Sequence, residues 1–136
     1  MSTRVHVWLP GDPSAAGAAR HALVKLARSL DEDVLSDLQT VATELVTNSY
    51  LHAGLQPGDR IELLARATRH NVRLEVSDPG AGFRPPPVPS DPLAPGGRGL
   101  LILRRLSERW GVKVSPRGCS VWCDIPADGR VHHAAM

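Results

Sequence analysis

The stretch Val34-Leu-Ser-Asp-Leu38-Gln-Thr-Val41-Ala42-Thr-Glu44-Leu45-Val-Thr-Asn48-Ser49-Tyr-Leu-His52-Ala53 decides the fold. Leu38, Val41, Ala42, Leu45 and Ser49 recur at the spacings of one packed helix face. That spacing predicts a helix over roughly 34–53, with Gly54 as a natural stop. Asp37, Thr40, Glu44, Asn48 and His52 form a second stripe, offset from the first. The four-residue step puts the side chains of Glu44 and Asn48 on the same side of the helix. By itself, such a stripe describes a solvated helix face as readily as a site.

The flanks supply strands and further helices. Arg4 to Leu9 alternates around Val5, Val7 and Leu9, as a half-buried strand does. Gly11-Asp12-Pro13 reads as a turn, with Asp12 as N-cap of an alanine-rich helix running to about Leu30. After the turn Gln56-Pro57-Gly58-Asp59, residues 60–69 and 72–77 read as antiparallel strands joined at His70-Asn71. Leu100 to Trp110 repeats leucine at helical intervals. Residues 112–115 and 120–125 then form a closing strand pair around Pro116-Arg117-Gly118. The order β-α-α-β-β-loop-α-β-β gives an α/β two-layer sandwich: a mixed, mostly antiparallel sheet with three helices on one face. One domain over 1–126 and a frayed tail over 127–136 are expected.

Composition narrows the function classes. The 136 residues suit one domain with one core, and 42% apolar with 22% charged residues is ordinary for a globular protein. Aromatic content of 4% leaves Leu, Val and Ala to build the core. The formal net charge is only +2, and the basic residues are scattered along the chain. A nucleic-acid surface is therefore not expected. No apolar run approaches membrane-span length, and the N-terminus lacks the pattern of a signal peptide. The expectation is a cytoplasmic protein away from the membrane. Cys119 and Cys123, four residues apart on one strand, are too far apart for a disulfide and read as reduced, buried thiols.

Three segments carry the chemistry. On the central helix, a carboxylate (Glu44) and an amide (Asn48) one turn apart suit a metal–phosphate site. Mg²⁺ keeps several waters, so one Asn carbonyl plus phosphate oxygens suffice, while Glu44 is placed to accept a proton from an attacking hydroxyl. Asp78-Pro-Gly80-Ala-Gly82-Phe83 directly follows a strand. It reads either as a turn capped by its own aspartate or as a pocket floor whose glycines admit a flat ligand. Gly96-Gly97-Arg98-Gly99 precedes the third helix, where backbone N–H groups and the helix dipole attract phosphate and Arg98 adds charge. Pro85 occupies the third glycine position of a dinucleotide fingerprint and no Gly-Lys-Ser/Thr occurs, so neither a Rossmann nor a Walker site is present. Residues 78–99 hold seven of the twelve prolines, a loop too long to be idle in a compact domain.

In order and spacing these segments resemble the GHKL ATPase superfamily and its Bergerat ATP-binding fold, from about Pro10 to Pro126. The branch they look most like is the bacterial anti-sigma factor serine kinases and their small stand-alone relatives. Glu44-Leu-Val-Thr-Asn48-Ser-Tyr-Leu-His52-Ala is similar to the N box, Asp78-x-Gly80-x-Gly82 to the adenine box, and Gly97-x-Gly99-Leu100 to the second glycine box. The resemblance implies Mg²⁺ on Asn48 and Glu44 as general base. It implies an adenine amino group on Asp78 beside Gly80 and Gly82. Phosphates would meet Gly97, Arg98, Gly99 and Leu100, under a lid over 83–96. It further implies a serine of an anti-sigma factor antagonist as acceptor, a sigma factor as an alternative partner, and a homodimer. Pro95 stands before Gly96, where kinase members often carry a basic residue. That departure keeps open a second reading, a non-catalytic ATP-binding module whose lid controls protein binding.

Overall fold

A computed structural model describes residues 3–80 and 98–128. Five strands form one sheet in the order β1-β2-β3-β5-β4. They are β1 (Thr3–Pro10), β2 (Arg60–Ala67), β3 (Asn71–Asp78), β4 (Arg109–Ser115) and β5 (Gly118–Pro126). Every pairing is antiparallel, so the expected mixed sheet is wholly antiparallel among the described strands. Helices α1 (Ala15–Leu23), α2 (Glu32–His52) and α3 (Arg98–Leu106) cover one face. No helix among the described residues is long and apolar enough to cross a membrane.

Alternation along each strand fixes which face is covered. Val5 and Leu9 of β1, Ile61 and Leu63 of β2, and Val72, Leu74 and Val76 of β3 turn toward the helices and are buried. They meet Leu23, Leu26, Leu38, Val41, Leu45 and Leu103 in one continuous core. Among the described residues, no aromatic residue is one of the largest fully buried side chains. The core is aliphatic, as the composition requires.

Helix α2 begins at Glu32, two residues before the expected start. Asp31 precedes it with extended geometry (φ −61°, ψ 152°). Glu32 and Asp33 fall in the first turn, where carboxylates are favoured by the helix dipole. The helix stops at Ala53, and Gly54 takes φ +67°, the left-handed conformation of a helix terminus.

Four other expectations need correction. First, α1 ends at Leu23 and tightens into a 3-10 turn over Val24–Leu26 rather than continuing to Leu30. Leu23 and Leu26 are three residues apart, a spacing that fits three residues per turn as well as an α-helix. Second, Asp12 is not the N-cap. Its carboxylate accepts from the backbone N–H of Ser14 at 2.8 Å and from the Ser14 hydroxyl, leaving Ser14 next to the helix. Third, Asn71 opens β3, and the β2–β3 turn is closed by Thr68 N–H donating to the Asn71 carbonyl at 2.8 Å. Fourth, α3 spans Arg98–Leu106, and Trp110 belongs to β4 opposite Cys123. Glu108 N–H donates to the Asp124 carbonyl at 2.8 Å, which draws this segment into the sheet.

The opposite, helix-free face holds a buried ion cluster. Asp124 is 1% exposed and accepts from Arg73 Nε at 2.7 Å, Arg73 Nη2 at 2.8 Å and Arg109 Nη2 at 2.9 Å. These guanidiniums, Arg73 first, hold the Asp124 carboxyl below its ordinary value of 3.8. A depressed folded-state pKa gives stability that is present above 3.8 and lost as pH falls through the lower value. Asp124→Asn is expected to cost about 1–3 kcal/mol at pH 7 and to lose less further stability than wild type on acidification. Urea melts at pH 7 and pH 3 check this. Equal acid sensitivity in the two proteins would contradict it.

Candidate functional site

The C-terminal half of α2 and the end of β3 meet at Asp78. Asp78 ends β3 on the helix-covered side and is 7% exposed. Its Oδ2 accepts from Ser49 Oγ at 2.9 Å, and its Oδ1 accepts from Gly80 N–H at 2.9 Å. The first bond ties helix to sheet; the second closes the turn that follows the strand. Burial raises the Asp78 carboxyl above its ordinary 3.8, with the two hydrogen bonds opposing that shift. The aspartate thus caps its own turn, as one of the two sequence readings expects, and each oxygen keeps a further lone pair.

Two glycines make this arrangement possible. A Cβ on Gly80 would overlap the Ala53 carbonyl oxygen at the end of α2. The chain after β3 therefore runs against the helix terminus with no room for a side chain. Gly118, with φ +140°, closes the β4–β5 hairpin, and a Cβ there would overlap the Asp78 carbonyl oxygen. Both walls beside Asp78 are backbone. The sequence identifies Gly80 as a site residue but reads Gly118 only as a turn residue.

Glu44 and Asn48 lie one turn apart on α2 and are half-buried, beside the fully buried stripe of Leu38, Val41, Ala42 and Leu45. Neither side chain makes a hydrogen bond or ion pair among the described residues. Glu44 borders a crevice of about 310 Å³ between α1 and α2, shared with Arg20, Ser36, Gln39, Thr40 and Thr43. Arg20 Nη1 donates to Thr43 Oγ1 at 3.1 Å, and Gln39 Nε2 donates to the Arg20 carbonyl at 2.9 Å. Asn48 directly precedes Ser49, so the Ser49–Asp78 bond fixes the helix segment carrying it against β3.

The remaining predicted residues are placed only in part. Gly82, Gly97 and the expected lid over 83–96 lie outside the described residues. Arg98, Gly99 and Leu100 form the first turn of α3. The second glycine box thus runs into the helix rather than ending before it. Sequence reasoning missed Ser49 as a site residue: its position in the apolar stripe makes it look like a small packing residue.

The raised pKa of Asp78 carries a sign. Stability from this group is present below 3.8 and is lost as pH rises through the higher folded value, so ionised Asp78 costs stability at neutral pH. Asp78→Asn is therefore expected to melt no lower than wild type at pH 7, with any gain shrinking toward pH 4. Thermal melts across that range test it. A variant less stable than wild type at pH 7 by more than about 2 kcal/mol would contradict the burial argument.

A known family accounts for this geometry. The family model for the histidine kinase-like ATPase domain matches residues 9–124, which include α2, the Asp78 turn and the entry to α3. No curated protein matches the chain. The antiparallel sheet with three helices on one face is consistent with that family, and the chain belongs to the histidine kinase-like (GHKL) ATPase domain family.

Proposed function

We propose that the protein is an ATP-dependent serine/threonine protein kinase of the anti-sigma factor type, with a serine of an anti-sigma factor antagonist as acceptor. One observation carries the reading. A buried aspartate is held by Ser49 at the end of α2, while Glu44 and Asn48 on that helix have no partner among the described residues. Family membership supplies the ATP-binding domain.

The residues fit the nucleotide. Asp78 is acceptor-only when ionised, which suits the exocyclic amino group of adenine. Guanine presents a carbonyl at the same place and would meet a carboxylate with no proton to share. Gly80 and Gly118 let bare backbone close in around Asp78, where a Cβ would collide with the Ala53 or Asp78 carbonyl oxygen. Asn48 offers a neutral oxygen toward Mg²⁺. Among the described residues no group of three or more His, Cys, Asp or Glu gathers to hold a metal, so the ion would sit mainly on phosphate oxygens and water. When bound, Mg²⁺ neutralises charge on the phosphates.

In the transfer step, Glu44 accepts the proton of the acceptor serine hydroxyl as its oxygen attacks the γ-phosphorus and the bond to the β-phosphate oxygen breaks. ADP leaves, and the serine keeps the phosphoryl group. Gly97, Arg98, Gly99 and Leu100 are assigned to the phosphates, with the α3 N-terminus directing N–H groups to them. A non-catalytic partner switch is the second reading, favoured by Pro95 at the place before Gly96 where kinase members often carry a basic residue.

Two measurements test the assignment. ATP at about 100 times its Kd is expected to stabilise the protein by roughly 2.7 kcal/mol, GTP far less, and Asp78→Asn should abolish the difference. With γ-labelled ATP and a purified antagonist, wild type should yield phosphoserine. Glu44→Ala should lower the rate about 10²–10⁴-fold, the usual contribution of a general base, while keeping the ATP-dependent stabilisation. ATP recovered intact with every antagonist tried would leave the switch reading in place of the kinase.

A further inference from the structure

The helix-free face gathers arginines that are scattered along the chain. Arg4, Arg66, Arg73, Asp124 and Arg109 are successive cross-strand partners from one edge of the sheet to the other. With strands about 4.8 Å apart, the row spans roughly 19 Å. Its β4 end is internally paired: Arg73 and Arg109 close over Asp124, and the Arg73 guanidinium lies 4.5 Å from the centre of the Trp122 ring.

The β1 end is not. Arg4 and Arg66 stand directly opposite each other, both are exposed, and neither guanidinium has a hydrogen bond or ion pair among the described residues. Like charges facing across a strand pair weaken the sheet. A crevice of about 430 Å³ opens there, bordered by Arg4, Leu64, Ala65, Arg66, Arg73 and Glu75. The whole face carries six cations (Arg4, Arg60, Arg66, Arg73, Arg109 and Lys113) against three carboxylates (Glu62, Glu75 and Asp124). That excess of three positive charges exceeds the formal +2 of the entire chain.

We infer that this face docks an acidic segment of a partner protein, with a carboxylate seated between Arg4 and Arg66. A guanidinium pair matches carboxylate oxygens with directed N–H donors, and an acid there relieves the repulsion between the two arginines. Leu64 beside them, and Trp122 farther along the face, add apolar contact of the kind a polypeptide offers and a phosphate backbone lacks. A second copy of this chain stacked face to face would oppose two surfaces of the same excess charge. The surface lies on the opposite side of the sheet from Asp78 and α2, so the inference stands independently of the kinase assignment.

The test uses the full chain and a labelled poly-L-glutamate peptide of about ten residues, read by fluorescence anisotropy at low ionic strength. Saturable binding is expected, weakened about tenfold or more by Arg4→Ala with Arg66→Ala, a loss of about 1.4 kcal/mol or more. Lys25→Ala with Arg28→Ala removes the same charge near α1 and should change it little. Equal weakening by the two double variants would overturn the proposal. So would tighter binding of duplex DNA than of the peptide. So would a wild-type dimer in sedimentation that Arg4→Ala with Arg66→Ala dissociates.

Discussion

The Ser49–Asp78 hydrogen bond is the constraint on which the site depends. It joins the helix layer to the sheet at the point where β3 ends, inside a region from which water is largely excluded. A buried carboxylate is costly unless its lone pairs are occupied, and here a hydroxyl and a backbone N–H occupy one on each oxygen. The remaining acceptor capacity is aimed rather than free. Loss of the serine would leave the aspartate both less stable and less well oriented.

Glycine backbone completes that constraint. Gly80 lies against the Ala53 carbonyl and Gly118 against the Asp78 carbonyl, so α2 and the β4–β5 hairpin both press on the segment following β3. Packing this close without side chains leaves polar backbone around one carboxylate. The family relationship gives such a place its meaning, because a histidine kinase-like ATPase domain binds ATP. Burial disfavours the ionised form of Asp78, and its two hydrogen bonds oppose that shift.

The layers of the fold were legible because each strand buries one face. Val5 and Leu9, or Ile61 and Leu63, mark the core side at period two whatever their neighbours do. The central helix was legible for the analogous reason at period 3.6, including the side-by-side placement of Glu44 and Asn48. The form of α1 beyond Leu23 was not, since leucines three residues apart suit both an α-helix and a 3-10 turn. Trp110 was misplaced because apolar spacing carried the third helix too far, while a backbone bond to Asp124 sets the actual boundary. Two features were invisible in one dimension. The role of Ser49 depends on a partner 29 residues away, and the arginine row exists only once β1, β2, β3 and β4 are aligned with β5 in register.

The most direct measurement is a crystal structure with a non-hydrolysable ATP analogue and magnesium. The adenine amino group is expected within about 3 Å of Asp78. Ser49 should still be bonded to that carboxylate, with Asn48 facing the metal and the phosphates at the α3 N-terminus. A nucleotide bound on the helix-free face of the sheet, or one whose base leaves Asp78 untouched, would contradict it.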